Sequence, residues 1–268
     1  MGTESIESSF LSMFALISFF IFLLVSKYSH KLKDGALLDE DFLKPQAFHE
    51  TPVTRSGGIA CFISICFFCL IYYLLYSEIL YDYLLISASM FFIGFLDDLK
   101  IRINPLKRLF LMILLLGIII NFLPIKLSNI DIPFLTTLMK IDIFSTFFVL
   151  LCFLFIINGS NLIDGFNGLL TINLIIINVI LTFINLNSGF NEFSLILISQ
   201  IIILLSFLLF NFPTAKIFLG DSGAYLMGSL LALNIIITNN LNPNISSFFF
   251  CTLLFYLFFE VFFSFIRK

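Results

Sequence analysis

Apolar residues run through this chain in long blocks separated by short polar breaks. Nine such blocks stand out, at 10–26, 57–76, 79–96, 107–123, 143–158, 169–186, 193–211, 223–239 and 247–266. Several run for about 17–22 residues, the length an α-helix needs to cross a hydrocarbon layer. The pattern predicts an all-α fold, a polytopic bundle of about nine transmembrane helices. No long linker, internal repeat or second soluble domain interrupts it, so residues 1–268 read as one membrane domain.

Composition agrees with the pattern. Of 268 residues, 60% are hydrophobic and only 12% charged, and the mean hydropathy is +1.11, which no water-soluble domain of this length shows. The formal charge of −3 says less than where the charges fall. With the acidic N-terminus outside, the inner connections are 27–56, 97–106, 159–168, 212–222 and the C-terminal end. Twelve of the fourteen basic residues lie in or beside them; only Lys126 and Lys140 do not. That bias predicts an outer N-terminus and a cytoplasmic C-terminus. The start of the chain carries no Lys or Arg and reads as the lead-in to an uncleaved first span rather than a signal peptide. All five cysteines fall within apolar runs, so Cys66-x-x-Cys69 reads as small buried hydrophobes rather than a metal or redox pair. The abundance of Phe carries no function.

The polar breaks on the inner side hold the candidate chemistry. The segment from Asn211 through Gly223 gathers Lys216, Gly220, Asp221, Ser222 and Gly223 between two apolar blocks. A helix start near Ser222 offers backbone N–H groups to phosphate, and Asp221 offers a carboxylate to Mg2+. The plain alternative is a helix–turn–helix connector with an Asp or Ser cap. Asp97 and Asp98 end the third block, where two adjacent carboxylates are costly without a cation or hydrogen bonds. Between Asn158 and Gly168 lie three Asn, one Asp and three Gly. On a helix, Asn161, Asp164 and Asn167 would share one face; the alternative is a helix-breaking loop. The longest inner connection ends in Thr54-Arg55-Ser56-Gly57-Gly58, where Arg55 either grips a phosphate or is an ordinary positive flank. His30 and His49, the only histidines, read as solvated loop residues. The outer connection 124–142 reads as a small hairpin or interfacial segment, and the role of Glu260 is open. Three acid-bearing patches on one side suggest a Mg2+-dependent site for a phosphorylated substrate. An ion translocator would place its acids near mid-membrane.

These segments, in this order, resemble the polyprenyl-phosphate N-acetylhexosamine-1-phosphate transferases, the glycosyltransferase 4 type that includes the phospho-MurNAc-pentapeptide translocase. The resemblance rests on 49–58, Gly94 to Asp98, Asn161 to Gly168 and Asn211 to Gly223. The Thr-Arg-Ser-Gly-Gly form is more similar to the GlcNAc-1-phosphate branch. The resemblance implies that Asp221 is the ligand of Mg2+, or of Mn2+ in its place. It implies an essential pair, Asp97 and Asp98, that positions or deprotonates the lipid phosphate. Asp164 joins them as a catalytic residue. Asn161, Asp164 and Asn211 line the nucleotide-sugar site, Phe218 stacks on uracil, and Arg55, Lys100 and Lys216 meet phosphate. The implied partners are a UDP-N-acetylhexosamine, undecaprenyl phosphate and membrane lipid, with no nucleic acid and with a homodimer as an option. The implied place is the bacterial inner membrane, and the implied products serve cell-wall and lipopolysaccharide assembly. The chain departs from the pattern at Asn167, at Ile101 where an aspartate often closes the Asp97-Asp98 motif, and at Lys268, where many relatives continue into a His-rich loop and further spans. A catalytically silent copy that keeps only lipid-phosphate or nucleotide binding is therefore the second expectation.

Overall fold

The computed structural model describes residues 3–29, 37–39, 52–101, 103–128 and 130–267. His30, His49, Glu50 and Thr51 lie outside the described residues, as do Lys31, Lys33, Lys44, Arg102 and Lys268 from the charge-bias argument. A helix stands at every predicted block. The elements are α1 (Thr3–Tyr28), β1 (Leu38–Asp39), β2 (Val53–Thr54), α2 (Gly57–Tyr76), α3 (Tyr81–Asp98), α4 (Pro105–Phe122), α5 (Pro133–Leu138), α6 (Asp142–Ile163), α7 (Leu169–Asn187), α8 (Asn191–Asn211), α9 (Gly220–Leu241), α10 (Ser247–Leu253) and α11 (Phe255–Arg267). Among the described residues, seven helices are long and apolar enough to cross a membrane, and the α10–α11 pair, bent by 61°, makes an eighth if it counts as one span. The expected count of nine is therefore not reached among the described residues; α3, the remaining block, carries Asp82, Asp97 and Asp98 in its eighteen residues. The chain is an integral membrane protein, a polytopic helical bundle. The connection 124–142 contains the short helix α5 rather than a hairpin.

The bundle is built around α9. Inside the protein, 83% of its apolar window is buried, against 22% for α1 and for α4. It packs on α2, α3, α6 and α7. The outer helices can be apolar all round because lipid covers them, and large side chains such as Leu16 and Ile143 are indeed exposed. α9 has protein on all sides and can carry polar groups if each finds a partner. Asn234 is the hub. Its amide donates to Gln200 Oε1 at 2.8 Å and Asn178 Oδ1 at 3.0 Å, and its carbonyl oxygen accepts from the Tyr83 hydroxyl at 2.8 Å. One side chain thus ties α9 to α3, α7 and α8. Further along, Asn185 donates to Thr238 Oγ1 at 3.0 Å and accepts from Asn242 Nδ2 at 3.1 Å. Small residues let backbones approach: Gly228 of α9 faces Ser160 of α6. Phenylalanines fill the wider seams, with Phe62 and Phe91 stacked at 4.4 Å between α2 and α3.

The two ends of α9 mark the two ends of the bundle. Near its C-terminus, Asn240 accepts from Ser128 and donates to the Lys126 carbonyl, while Lys126 pairs with Asp142 at 2.6 Å. At its N-terminus the three acid-bearing patches meet.

Candidate active site

The start of α9 is fixed first by backbone. β2 pairs antiparallel with β1, Leu38 opposite Thr54 and Asp39 opposite Val53. From β2 the chain runs alongside the segment entering α9: Phe218 N donates to Thr54 O at 2.8 Å, Gly57 N to Phe218 O at 2.9 Å and Gly58 N to Leu219 O at 2.8 Å. Thr54 Oγ1 also lies 3.0 Å from Ser56 Oγ and 2.9 Å from Ser29 Oγ, all buried. The Thr-Arg-Ser-Gly-Gly stretch is therefore a rail for residues 217–219 as much as a source of Arg55.

Side chains then lock the first turn. Helices leave their first N–H groups without internal partners. Asp98, only 1% exposed, supplies both oxygens: Oδ1 accepts from Asp221 N and Oδ2 from Ser222 N, each at 3.0 Å. A negative charge here also matches the positive end of the helix dipole. Gly220 makes room for it. Its φ of +74° is one that L side chains rarely adopt, and a Cβ there would come within 2.6 Å of Asp98 Oδ2. Gly94 permits the crossing of α3 over α9, since its added Cβ would meet Asp221 backbone atoms at 2.5 Å.

Held this way, the Asp221 carboxylate reaches two other elements and its own next turn. Asn161 Nδ2 of α6 donates to Oδ1 at 3.1 Å. Arg108 Nη1 of α4 donates to Oδ2 at 3.2 Å, and the same nitrogen pairs with Asp97 Oδ2 of α3. The Arg108 guanidinium lies 5.4 Å from the centre of the Tyr225 ring, and the Tyr225 hydroxyl approaches Oδ2 at 3.5 Å. Arg108 was missed by the sequence reading, where it counted only as an inner basic residue. One signal could have found it. Asn104 caps α4, its side chain accepting from Leu106 N at 3.0 Å, and Pro105 follows. That start puts Lys107 and Arg108 in the first turn, where the helix dipole disfavours cations. A cation kept there calls for carboxylate partners.

The remaining candidates divide. Asp164, half-buried, follows the last residue of α6. Burial, then the Asp221 and Asp98 carboxylates, push its pKa well above the usual range, while the charge of Arg55 pulls it down. It thus belongs electrostatically to the cluster. α6 ends at Ile163, so Asn161, Asp164 and Asn167 do not share one helix face as expected; Gly168, at φ +76°, turns the chain, and Asn167 Nδ2 donates to Pro213 O at 3.0 Å instead. Asn211 is buried and engaged at both ends: Oδ1 accepts from Gly168 N at 2.7 Å and Nδ2 donates to Ile217 O at 3.0 Å. It joins the two polar connections rather than opening toward solvent. Phe218 is half-buried beside this frame, Arg55 is half-buried, and Lys100 and Lys216 are exposed.

No cluster of three or more His, Cys, Asp or Glu side chains suited to a metal occurs among the described residues. A hard dication handling phosphorylated substrate needs fewer protein ligands, because one or two carboxylates suffice when phosphates and water complete the shell. Asp221 and Asp97 each direct an oxygen onto one cationic nitrogen, so the donor set fits such an ion. Asp98 is already engaged by backbone.

The model of "Glycosyl transferase family 4" matches residues 79–239, more than half of the chain. Several curated proteins named phospho-N-acetylmuramoyl-pentapeptide-transferase are similar. The one from Petrotoga mobilis is 29% identical over 185 residues, covering 65% of this chain and 57% of that protein. The one from Streptococcus uberis is 38% identical over 151 residues, covering 53% and 44%. The one from Streptococcus thermophilus is 30% identical over 224 residues, covering 78% and 65%. The chain thus spans between 44% and 65% of the length of these three relatives.

Proposed function

Because this chain belongs to glycosyl transferase family 4, we propose that it transfers a sugar-1-phosphate from a UDP-N-acetylhexosamine, GlcNAc-1-phosphate first, to undecaprenyl phosphate at the cytoplasmic face of a bacterial inner membrane. The observation that supports this reading is the meeting of Asp97, Asp221, Asn161 and Arg108, from four helices, at the N-terminus of α9. In the reaction an oxygen of the lipid phosphate bonds to the β-phosphorus of the donor. The bond from that phosphorus to the bridging oxygen breaks, and UMP leaves with the electron pair. A bound Mg2+ or Mn2+ would neutralise charge on the phosphates.

The chain's own groups take separate roles in this proposal. Asp221 would hold the ion, with Asn161 orienting its carboxylate. Asp98 acts by setting the start of α9, and Asp97, whose side chain is 15% exposed, faces the lipid phosphate. Asp164 and Phe218 border the nucleotide side, while Arg55, Lys100 and Lys216 offer cations to phosphate. The lipid product would begin a cell-envelope polysaccharide.

The relatives' printed name favours a second donor, UDP-MurNAc-pentapeptide, for the same chemistry. The test is transfer of labelled sugar phosphate to undecaprenyl phosphate by the purified protein with Mg2+, each donor offered separately and against the other. Asp221→Asn and a chelator serve as controls. Transfer from UDP-GlcNAc that both controls abolish supports the first reading. Transfer from the pentapeptide donor alone replaces it with the second. A folded protein that binds UDP-sugar without turnover from either donor would overturn both.

A further inference from the structure

Arg108 occupies the point on which two carboxylates from different helices converge. A single nitrogen, Nη1, contacts Asp97 Oδ2 and stands 3.2 Å from Asp221 Oδ2. Without a cation between them these acids would repel, and the helix dipole at the start of α4 gives Arg108 no support of its own. The guanidinium is held by the carboxylates and by the Tyr225 ring face, 5.4 Å from its centre. We infer that Arg108 is an internal counter-ion that closes the Asp97–Asp221 pair in the metal-free protein, and that a divalent cation binds there by displacing it. The inference rests on the reading of Asp221 as the metal ligand.

Three features make displacement workable. The Arg108, Asp97 and Asp221 side chains are 23%, 15% and 27% exposed, so the pair is open to entering ions. A guanidinium keeps its charge at every relevant pH, so it leaves the pair by moving rather than by losing a proton. Tyr225 lies one turn along α9 from Asp221, and its ring gives the guanidinium a contact that does not use the carboxylates. The consequence is a built-in competition: the apparent metal affinity falls by the fraction of molecules in which Arg108 closes the pair. Metal arrival and release of a cation toward the substrate's phosphates are then one event.

The test is Mn2+ binding by the purified full chain, followed by the electron paramagnetic resonance of free Mn2+, with thermal unfolding beside it. Arg108→Gln should bind Mn2+ at least tenfold more tightly than the unchanged protein. It should unfold at lower temperature without metal and gain more from Mn2+. Lys107→Gln removes the same charge one position away, on an exposed side chain, and should change affinity by less than twofold. Arg108→Lys should fall between Arg108→Gln and the unchanged protein, and it decides the matter if Arg108→Gln does not fold. Equal or weaker Mn2+ binding by a folded Arg108 variant overturns the displacement, as does an equal gain in Lys107→Gln, which would mean long-range charge alone. If Asp221→Asn leaves Mn2+ binding unchanged, or nothing binds Mn2+, the metal reading of Asp221 falls and the inference falls with it.

Discussion

Replacing Gly94 by Ala tests whether backbone contact, rather than any functional group, places Asp221. The change adds one methyl group and removes no polar atom. An added Cβ would sit 2.5 Å from Asp221 C, Asp221 O and Ser222 Cα. All three are backbone atoms and cannot rotate away. Ordinary carbon contact needs about 3.5 Å, so α3 and α9 must separate by about 1 Å at this crossing. Overpacking of that kind costs about 1–3 kcal/mol. The same shift moves the Asp221 carboxylate relative to Arg108 and Asn161, and a 1 Å misplacement at a reacting centre lowers rates by about 100-fold. The assay is sugar-phosphate transfer beside Mn2+ affinity and thermal unfolding in detergent. Gly117→Ala is the matched control: it also lies in a helix, and a Cβ there meets nothing within 4 Å. It should be neutral or stabilising by up to about 1 kcal/mol. A Gly94→Ala protein with Mn2+ affinity and turnover within threefold of the unchanged chain would refute the claim that the α3–α9 crossing positions the site.

Asp98→Ala should lower stability by about 3–5 kcal/mol, read as a fall in unfolding temperature. It removes two hydrogen bonds to a buried carboxyl group and strands two amides of α9. Asp98→Asn should lose less, keeping one acceptor. Asp164→Asn should raise the unfolding temperature of the metal-free protein while lowering turnover. The sign follows from the raised pKa, caused first by burial and then by Asp221 and Asp98: above the unfolded value of about 4 the native state is penalised, and the amide relieves this. The gain should be present at pH 7 and vanish as the pH falls below about 4; an undiminished gain at low pH would contradict it. Asn234→Leu leaves Tyr83, Asn178 and Gln200 short of a partner. It should cost about 1–3 kcal/mol in thermal unfolding, with Mn2+ affinity per folded molecule unchanged because the hub lies deep in the bundle.

The class of protein and the place of every major helix are legible in the apolar blocks alone. In a membrane the outer helices are selected for continuous apolarity, and that signal needs no knowledge of neighbours. It also marked Asp97, Asp98, Asp164 and Asp221 as unusual, because carboxylates at the ends of apolar blocks are costly. What each acid does was decided by tertiary structure. Asp97 and Asp98 are adjacent in the chain, and helical geometry points them apart. One meets Arg108 at the cluster, and the other meets the amides of α9. No local pattern distinguishes the two, because the deciding partners lie more than a hundred residues away in the case of α9. Asn211, which the resemblance places at the nucleotide-sugar site, has both ends of its side chain engaged by backbone, a pairing no local pattern announces. Arg108 was overlooked because the charge-bias rule accounts for any inner cation without asking what it touches. Hydropathy places helices one at a time, whereas the site exists only where α3, α4, α6 and α9 cross.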